Sequence, residues 1–277
     1  MNAEDWVTGN ITLSIGGRPF DMQLTVPAKP VKPHRMLPIF QKMTDSFVEL
    51  SVQAAEANGE KVSCKAGCGA CCRQPVPLSE AEVYQITDVL EAMPDDKREV
   101  IRQRFAEAVS HFREIGWFEK MSRCVEMART HSKDVVAEEL QEIVAEYFRE
   151  GVPCPFLVDE SCSIHEDRPL SCREYLVTSP AENCSAPSAK TIRKVPLLME
   201  PSKAMKSVGT TGSFYKMGLI PLILAPDLAA EVPEHFVEKK GEQWVADFFG
   251  FLTRSEDPRK GLPKNRGKTN KRQKKGR

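Results

Sequence analysis

Eight of the nine cysteines in this 277-residue chain fall into two short windows. In a reducing compartment, thiols clustered in this way act as metal ligands or redox groups. The first window reads Cys64-Lys-Ala-Gly-Cys68-Gly-Ala-Cys71-Cys72. Thiolates two or three residues apart in a loop can turn inward on one centre. Gly67 and Gly69 permit the positive φ such a wrap uses, aiming backbone N–H groups at sulfur. Adjacent side chains in extended backbone point apart, so either Cys71 or Cys72 serves a second ion or stays a free or redox-active thiol.

The second window supplies Cys154, Cys162, Cys172 and Cys184 at gaps too long for a self-contained zinc knuckle. Such gaps suit ligands delivered by separate loops to a centre begun by the first window. The two windows are therefore expected to meet, with sulfurs within roughly 4 Å of one another because ligands of one ion share it at ~2.3 Å. Clustered thiolates carry excess negative charge, so Arg168 and Arg173 are expected to face them and donate to sulfur or to nearby carbonyls. Cys124 stands alone in a helical stretch and reads as a core thiol, and His111 and His131 read as surface or packing residues.

These pieces together resemble the YkgJ-type cysteine-cluster family, described as zinc- or iron-chelating. The carriers are Cys64-x3-Cys68-x2-Cys71-Cys72, Cys154-Pro-Phe-Leu, and Cys162-Ser-Ile-x3-Arg168-Pro169-x2-Cys172-Arg173, spanning about residues 60–185. The resemblance implies ligand identity more than activity. Where the family often has tyrosine this chain has His165, a candidate nitrogen ligand. Flagellin lysine N-methylases carry a related cluster, which keeps a modification enzyme in view. Cys-x3-Cys-x2-Cys is also a radical-SAM spacing, but no run of alternating strands and helices suggests their barrel. Zinc and an iron–sulfur cluster both remain open as the bound species.

Elements must carry these residues to one place. Alternation of Ile11, Leu13 and Ile15, then Phe20, Met22, Leu24 and Val26, about Gly16-Gly17 predicts a hairpin over residues 10–26. A helix over 37–57 ends at Asn58-Gly59, leaving the first window in the following loop. Ser79 with Glu82 forms a capping box, and Pro94 opens a helix striped by Ile101, Phe105, Ala108 and Phe112. Further helices are expected over 117–129 and 132–150, the latter stopped by Gly151 and Pro153, and a last one near 237–252. The helical segment 79–150 would then return the chain to the site. No glycine-rich phosphate loop, nucleophile elbow or zinc-protease helix motif appears.

Ten of the 39 basic residues crowd into 259–277 with no acid, leaving 29 basic against 39 acidic residues over 1–258. That tail is expected to be disordered, with weak nucleic-acid or acidic-protein contact as its possible use. The opening residues read as no secretory leader and no stretch approaches ~20 apolar residues, so a cytoplasmic, soluble protein is expected. The fold class expected is mainly α with a small N-terminal β-hairpin. Its divisions are 1–35 hairpin and connector, 36–255 cysteine-cluster domain with helical scaffold, and 256–277 basic tail. Function is expected to be metal binding with a structural or redox role, the alternatives being a metal-dependent modification or redox enzyme and an interaction module.

Overall fold

A computed structural model describes residues 5–15, 18–188, 190–214 and 220–253; the Gly16-Gly17 turn and the basic tail lie outside them. The hairpin pairs β1 (Trp6–Ile15) with β2 (Arg18–Pro27), antiparallel, with Ile11 opposite Met22 and Leu13 opposite Phe20. Its apolar face packs on a first core built from α1 (Leu37–Ala57) and α9 (Gly241–Leu252). Within that core Phe40 stacks on Phe248 at 4.4 Å, and the Trp244 indole N–H donates to the Val31 carbonyl at 2.8 Å. Strand and helix meet so closely at Gly241 that a Cβ there would lie 2.6 Å from Val26 Cβ. The last helix starts later than the expected residue 237 because Lys239 is held in an antiparallel bridge, exchanging backbone bonds of 2.8 and 3.1 Å with Val31.

The helical scaffold forms as the pattern predicts. α2 (Glu80–Glu91) opens on the Ser79–Glu82 capping box, with the Ser79 N–H donating to Glu82 Oε2 at 2.8 Å. The other Glu82 oxygen accepts from the Leu170 N–H at 2.8 Å, which ties the helix start to the second cysteine window. α3 (Asp95–Glu114), α4 (Trp117–Met127) and α5 (Lys133–Glu150) enclose a core of their own. There Phe112 stacks on Tyr147 at 3.8 Å and Trp117 Nε1 donates to the Ile143 carbonyl at 2.9 Å. Gly151 takes positive φ at the end of α5, as an αL helix stop requires.

A middle core lies between these two, formed by α2, the start of α3 and Phe156, and Cys154, Cys162 and Cys172 pack against its edge. Three small elements within the long loops carry it: β4 (Leu157–Val158) with β5 (Ser161–Cys162), and α6 (Leu170–Glu174). A second short pair, β3 (Pro77–Leu78) with β6 (Ile220–Pro221), closes the same core. Beyond these, α7 (Pro201–Met205) and α8 (Ala225–Glu231) complete the helices of the described residues. None of those helices is long and apolar enough to cross a membrane.

Candidate metal centre

The first window leaves α1 through Gly59, at φ 82°, and runs extended to Cys64. There the Ser63 N–H donates to the Val177 carbonyl at 2.9 Å, and the Val177 N–H returns a bond to Cys64 Sγ at 3.4 Å. A turn closed by the Cys68 N–H on the Lys65 carbonyl follows, with Gly67 at φ 75°. The chain then enters a 3₁₀ turn, Ala70–Arg73, that carries Cys71 and Cys72. Helical backbone there replaces the extended form, so the neighbouring thiols meet and hydrogen-bond each other instead of pointing apart.

One backbone bond joins the windows directly. The Cys154 N–H donates to the Cys72 carbonyl at 2.7 Å. The β4–β5 hairpin turns through Asp159 and Glu160, both left-handed, and lays Glu160 against the first window. Arg73 grips that carboxylate with both terminal nitrogens, at 3.0 and 2.7 Å, while Nη1 also donates to the Gly69 carbonyl at 2.9 Å. The fit is tight: a Cβ on Gly69 would stand 2.5 Å from Glu160 Oε2 and 2.8 Å from Leu157 Cδ1. Gly69 is thus needed for close approach, not for positive φ, and nothing in the local sequence signalled the Arg73–Glu160 fork.

The thiols share one electrostatic neighbourhood around Cys71, since an ionised Cys71 would hold the protons of Cys64, Cys154, Cys162, Cys172 and Cys184 more tightly. Cys68 reaches the group through Cys64 and Cys184. The bond to Cys72 does most to hold the Cys71 proton, followed by burial. Burial pushes Cys154 up to about 12 and Cys184 up to about 11, and raises Cys64, Cys162 and Cys172. Cys64 Sγ accepts the Val177 N–H at 3.4 Å, and the backbone N–H groups of Phe156, Ile164 and Cys71 favour the thiolates of Cys154, Cys162 and Cys71. As thiols they are gathered but not closed. Among the described residues no group of three or more His, Cys, Asp or Glu side chains is arranged to hold an ion as it stands, so the expected ligand spacing is not preformed.

Arg168 behaves as its position suggested. Its charge favours the ionised forms of Cys64, Cys71, Cys162 and Cys172, and its Nε is buried with no hydrogen-bond partner. A half-buried cation facing uncharged thiols suits a centre whose sulfurs lose their protons when a metal enters. On this observation and the N–H bonds to sulfur, the residues present fit a metal held by thiolates.

Arg173 is used differently. It donates to Asp45 Oδ2 at 2.6 Å, to the Arg168 carbonyl at 3.0 Å and to the Glu166 carbonyl, so it clamps the second window to α1. Cys162 still feels its charge. His165 is exposed, with Nδ1 3.6 Å from the Glu166 carboxylate. Cys124 lies in the α3–α5 core, its Sγ 3.8 Å from the Val136 carbonyl, away from the thiol group. Tyr175 joins the neighbourhood unannounced: burial, then Cys184, Cys71 and Cys64, push its phenol up to about 12.

No curated protein and no solved structure matches this chain. Residues 63–190 match the family described as "CxxCxxCC: Putative zinc- or iron-chelating domain", and these limits enclose both cysteine windows and the helices between them. Over residues 63–190 the chain is thus similar to the CxxCxxCC cysteine-cluster family, a likeness that supports metal binding as a general property.

Proposed function

We propose that this protein holds zinc or an iron–sulfur cluster through the thiolates of Cys64, Cys68, Cys71, Cys72, Cys154, Cys162, Cys172 and Cys184. The observation that carries this reading is the common electrostatic neighbourhood of both windows around Cys71, beneath the unpaired Arg168. Cys71 stands between two subsets. Cys154, Cys162 and Cys172 lie on the middle core, and Cys64, Cys68 and Cys184 lie on the outer side, where the turns Ala70–Arg73 and Ala181–Ser185 pack together.

When bound, the metal would cross-link loops that otherwise share few apolar contacts, and an iron–sulfur cluster would add one-electron chemistry. The chain's own residues do the rest. Each thiol gives its proton to solvent, backbone N–H groups of Val177, Phe156 and Ile164 hold the sulfur charge, and Arg168 offsets what remains. A second reading, a modification or redox catalyst, is favoured by one feature, a cavity of about 850 Å³ whose wall includes Cys64.

Anaerobic purification, an absorption spectrum and elemental analysis test the proposal. A brown protein with stoichiometric iron and sulfide identifies a cluster, and a colourless one with stoichiometric zinc identifies a zinc centre. A protein that retains neither metal after anaerobic purification and reconstitution overturns the reading.

A further inference from the structure

We propose that the cavity beside Cys64 binds a small phosphate-bearing anion, held by Lys61, Lys65 and Arg193. The cavity measures about 850 Å³ and is walled by residues 59–65 on one side and by Thr178, Pro180 and Arg193 on the other. Backbone bonds hold the two walls in register: Ser63 N–H to the Val177 carbonyl at 2.9 Å, and Thr178 N–H to the Arg193 carbonyl at 2.8 Å. The pocket is thus part of the framework that seats Cys64 and not a gap between unconnected loops.

Its charge is out of keeping with its surroundings. Positions 1–258 are acidic overall, yet this one cavity wall gathers two lysines and an arginine against a single acid. Lys61, Lys65 and Arg193 have no carboxylate within ion-pair distance among the described residues, and Glu60 is the one acid on the cavity wall. Three unpaired cations on one cavity create a local positive potential that raises the concentration of anions there.

The ligand class follows from number and geometry. One carboxylate is satisfied by a single guanidinium fork, whereas a tetrahedral dianion can use several cations and further donors at once. Ser63 and Thr178 add hydroxyls to the same wall, and neither has a partner among the described residues. Val62 and Pro180 leave an apolar strip for the remainder of a small molecule. Since Cys64 borders the cavity, a ligand bound there would sit against the thiol group, where the catalytic reading would place a substrate.

The test is calorimetric titration of the full-length protein, as purified with its metal, with inorganic pyrophosphate at two ionic strengths. Saturable binding at one equivalent is expected, weakening as salt rises. Lys61→Ala and Arg193→Ala should each lower affinity about tenfold or more, because each removes a charge-assisted hydrogen bond. Lys61→Arg should keep most of the affinity, and Lys42→Ala, on the exposed side of α1, should change nothing. All variants retain the basic tail, so binding that survives the Lys61→Ala/Arg193→Ala double variant belongs to the tail and overturns the proposal. Equal loss in Lys61→Arg and Lys61→Ala would show that the cation itself is not what binds, and would overturn it too. Metal content measured on the same samples separates this result from the fate of the metal centre.

Discussion

Replacing Arg168 by methionine should act in opposite directions on the metal-free and metal-loaded protein. In the metal-free state its Nε is buried without a partner and the facing thiols are uncharged. An unsatisfied buried polar group costs about 1–3 kcal/mol, so removing it while keeping an unbranched side chain should leave the metal-free fold as stable or more so. For a chain of this size that gain reads as a rise of a few degrees in Tm. In the loaded state the same guanidinium faces thiolates at Cys64, Cys71, Cys162 and Cys172. Losing a supporting partner of metal ligands lowers affinity by about 10–100-fold, equivalent to roughly 1.4–2.7 kcal/mol. The stabilisation conferred by saturating metal should shrink by the same amount. Paired thermal melts with and without metal, together with competition against a chelator, measure both effects. Arg168→Lys should recover part of the affinity, since it restores charge without the planar fork. An equal fall in Tm in both states, with chelator resistance unchanged, would refute the reasoning and make Arg168 a packing residue.

Cys154→Ser should abolish metal retention by elemental analysis, whereas Cys124→Ser, in the separate α3–α5 core, should leave metal content at the wild-type level. Gly69→Ala should destabilise by about 1–3 kcal/mol through overpacking against Leu157 and Glu160, seen as a lower Tm and faster metal loss to chelator. The metal-free protein should lose stability as pH climbs from about 9, the unfolded thiol value, through about 12, the folded value of Cys154, because folding favours the protonated thiols. Metal retention should run the other way and fall as pH drops, since protons compete for the same sulfurs; chelator titrations between pH 6 and 9 give the slope.

Local signals in the sequence were read correctly wherever short-range physics decides. Alternation located the hairpin, Ser79 and Glu82 located the start of α2, and Gly151 the end of α5. Cysteine spacing pointed to the cysteine-cluster model that residues 63–190 match, because ligand geometry constrains spacing directly. What escaped depends on contacts between distant segments. Arg173 stands beside a cysteine, yet its charge goes to Asp45 on α1, and no spacing rule connects those two positions. Cys71 and Cys72 meet because a 3₁₀ turn forms at Ala70–Arg73, where extended backbone would separate them. The Arg73–Glu160 fork needs two successive left-handed residues, Asp159 and Glu160, and Glu160 in particular gives no local signal for that conformation. Arg168 was legible because its role is long-range charge, which needs proximity but no particular bond.

The Cys154–Cys72 backbone bond fastens the two ends of a long excursion of chain, and α4, α5 and the end of α3 bury their apolar faces in a core of their own with Ile223 and Leu224. The exposed corner between α4 and α5, Ala128–Ser132, is therefore a graft point. A reporter domain spliced there lengthens a closed loop, and each doubling of loop length adds only about 0.6 kcal/mol of closure entropy. The thiols would be brought together as before, so a fluorescent protein inserted at this corner would mark the chain in living cells while leaving its metal binding intact.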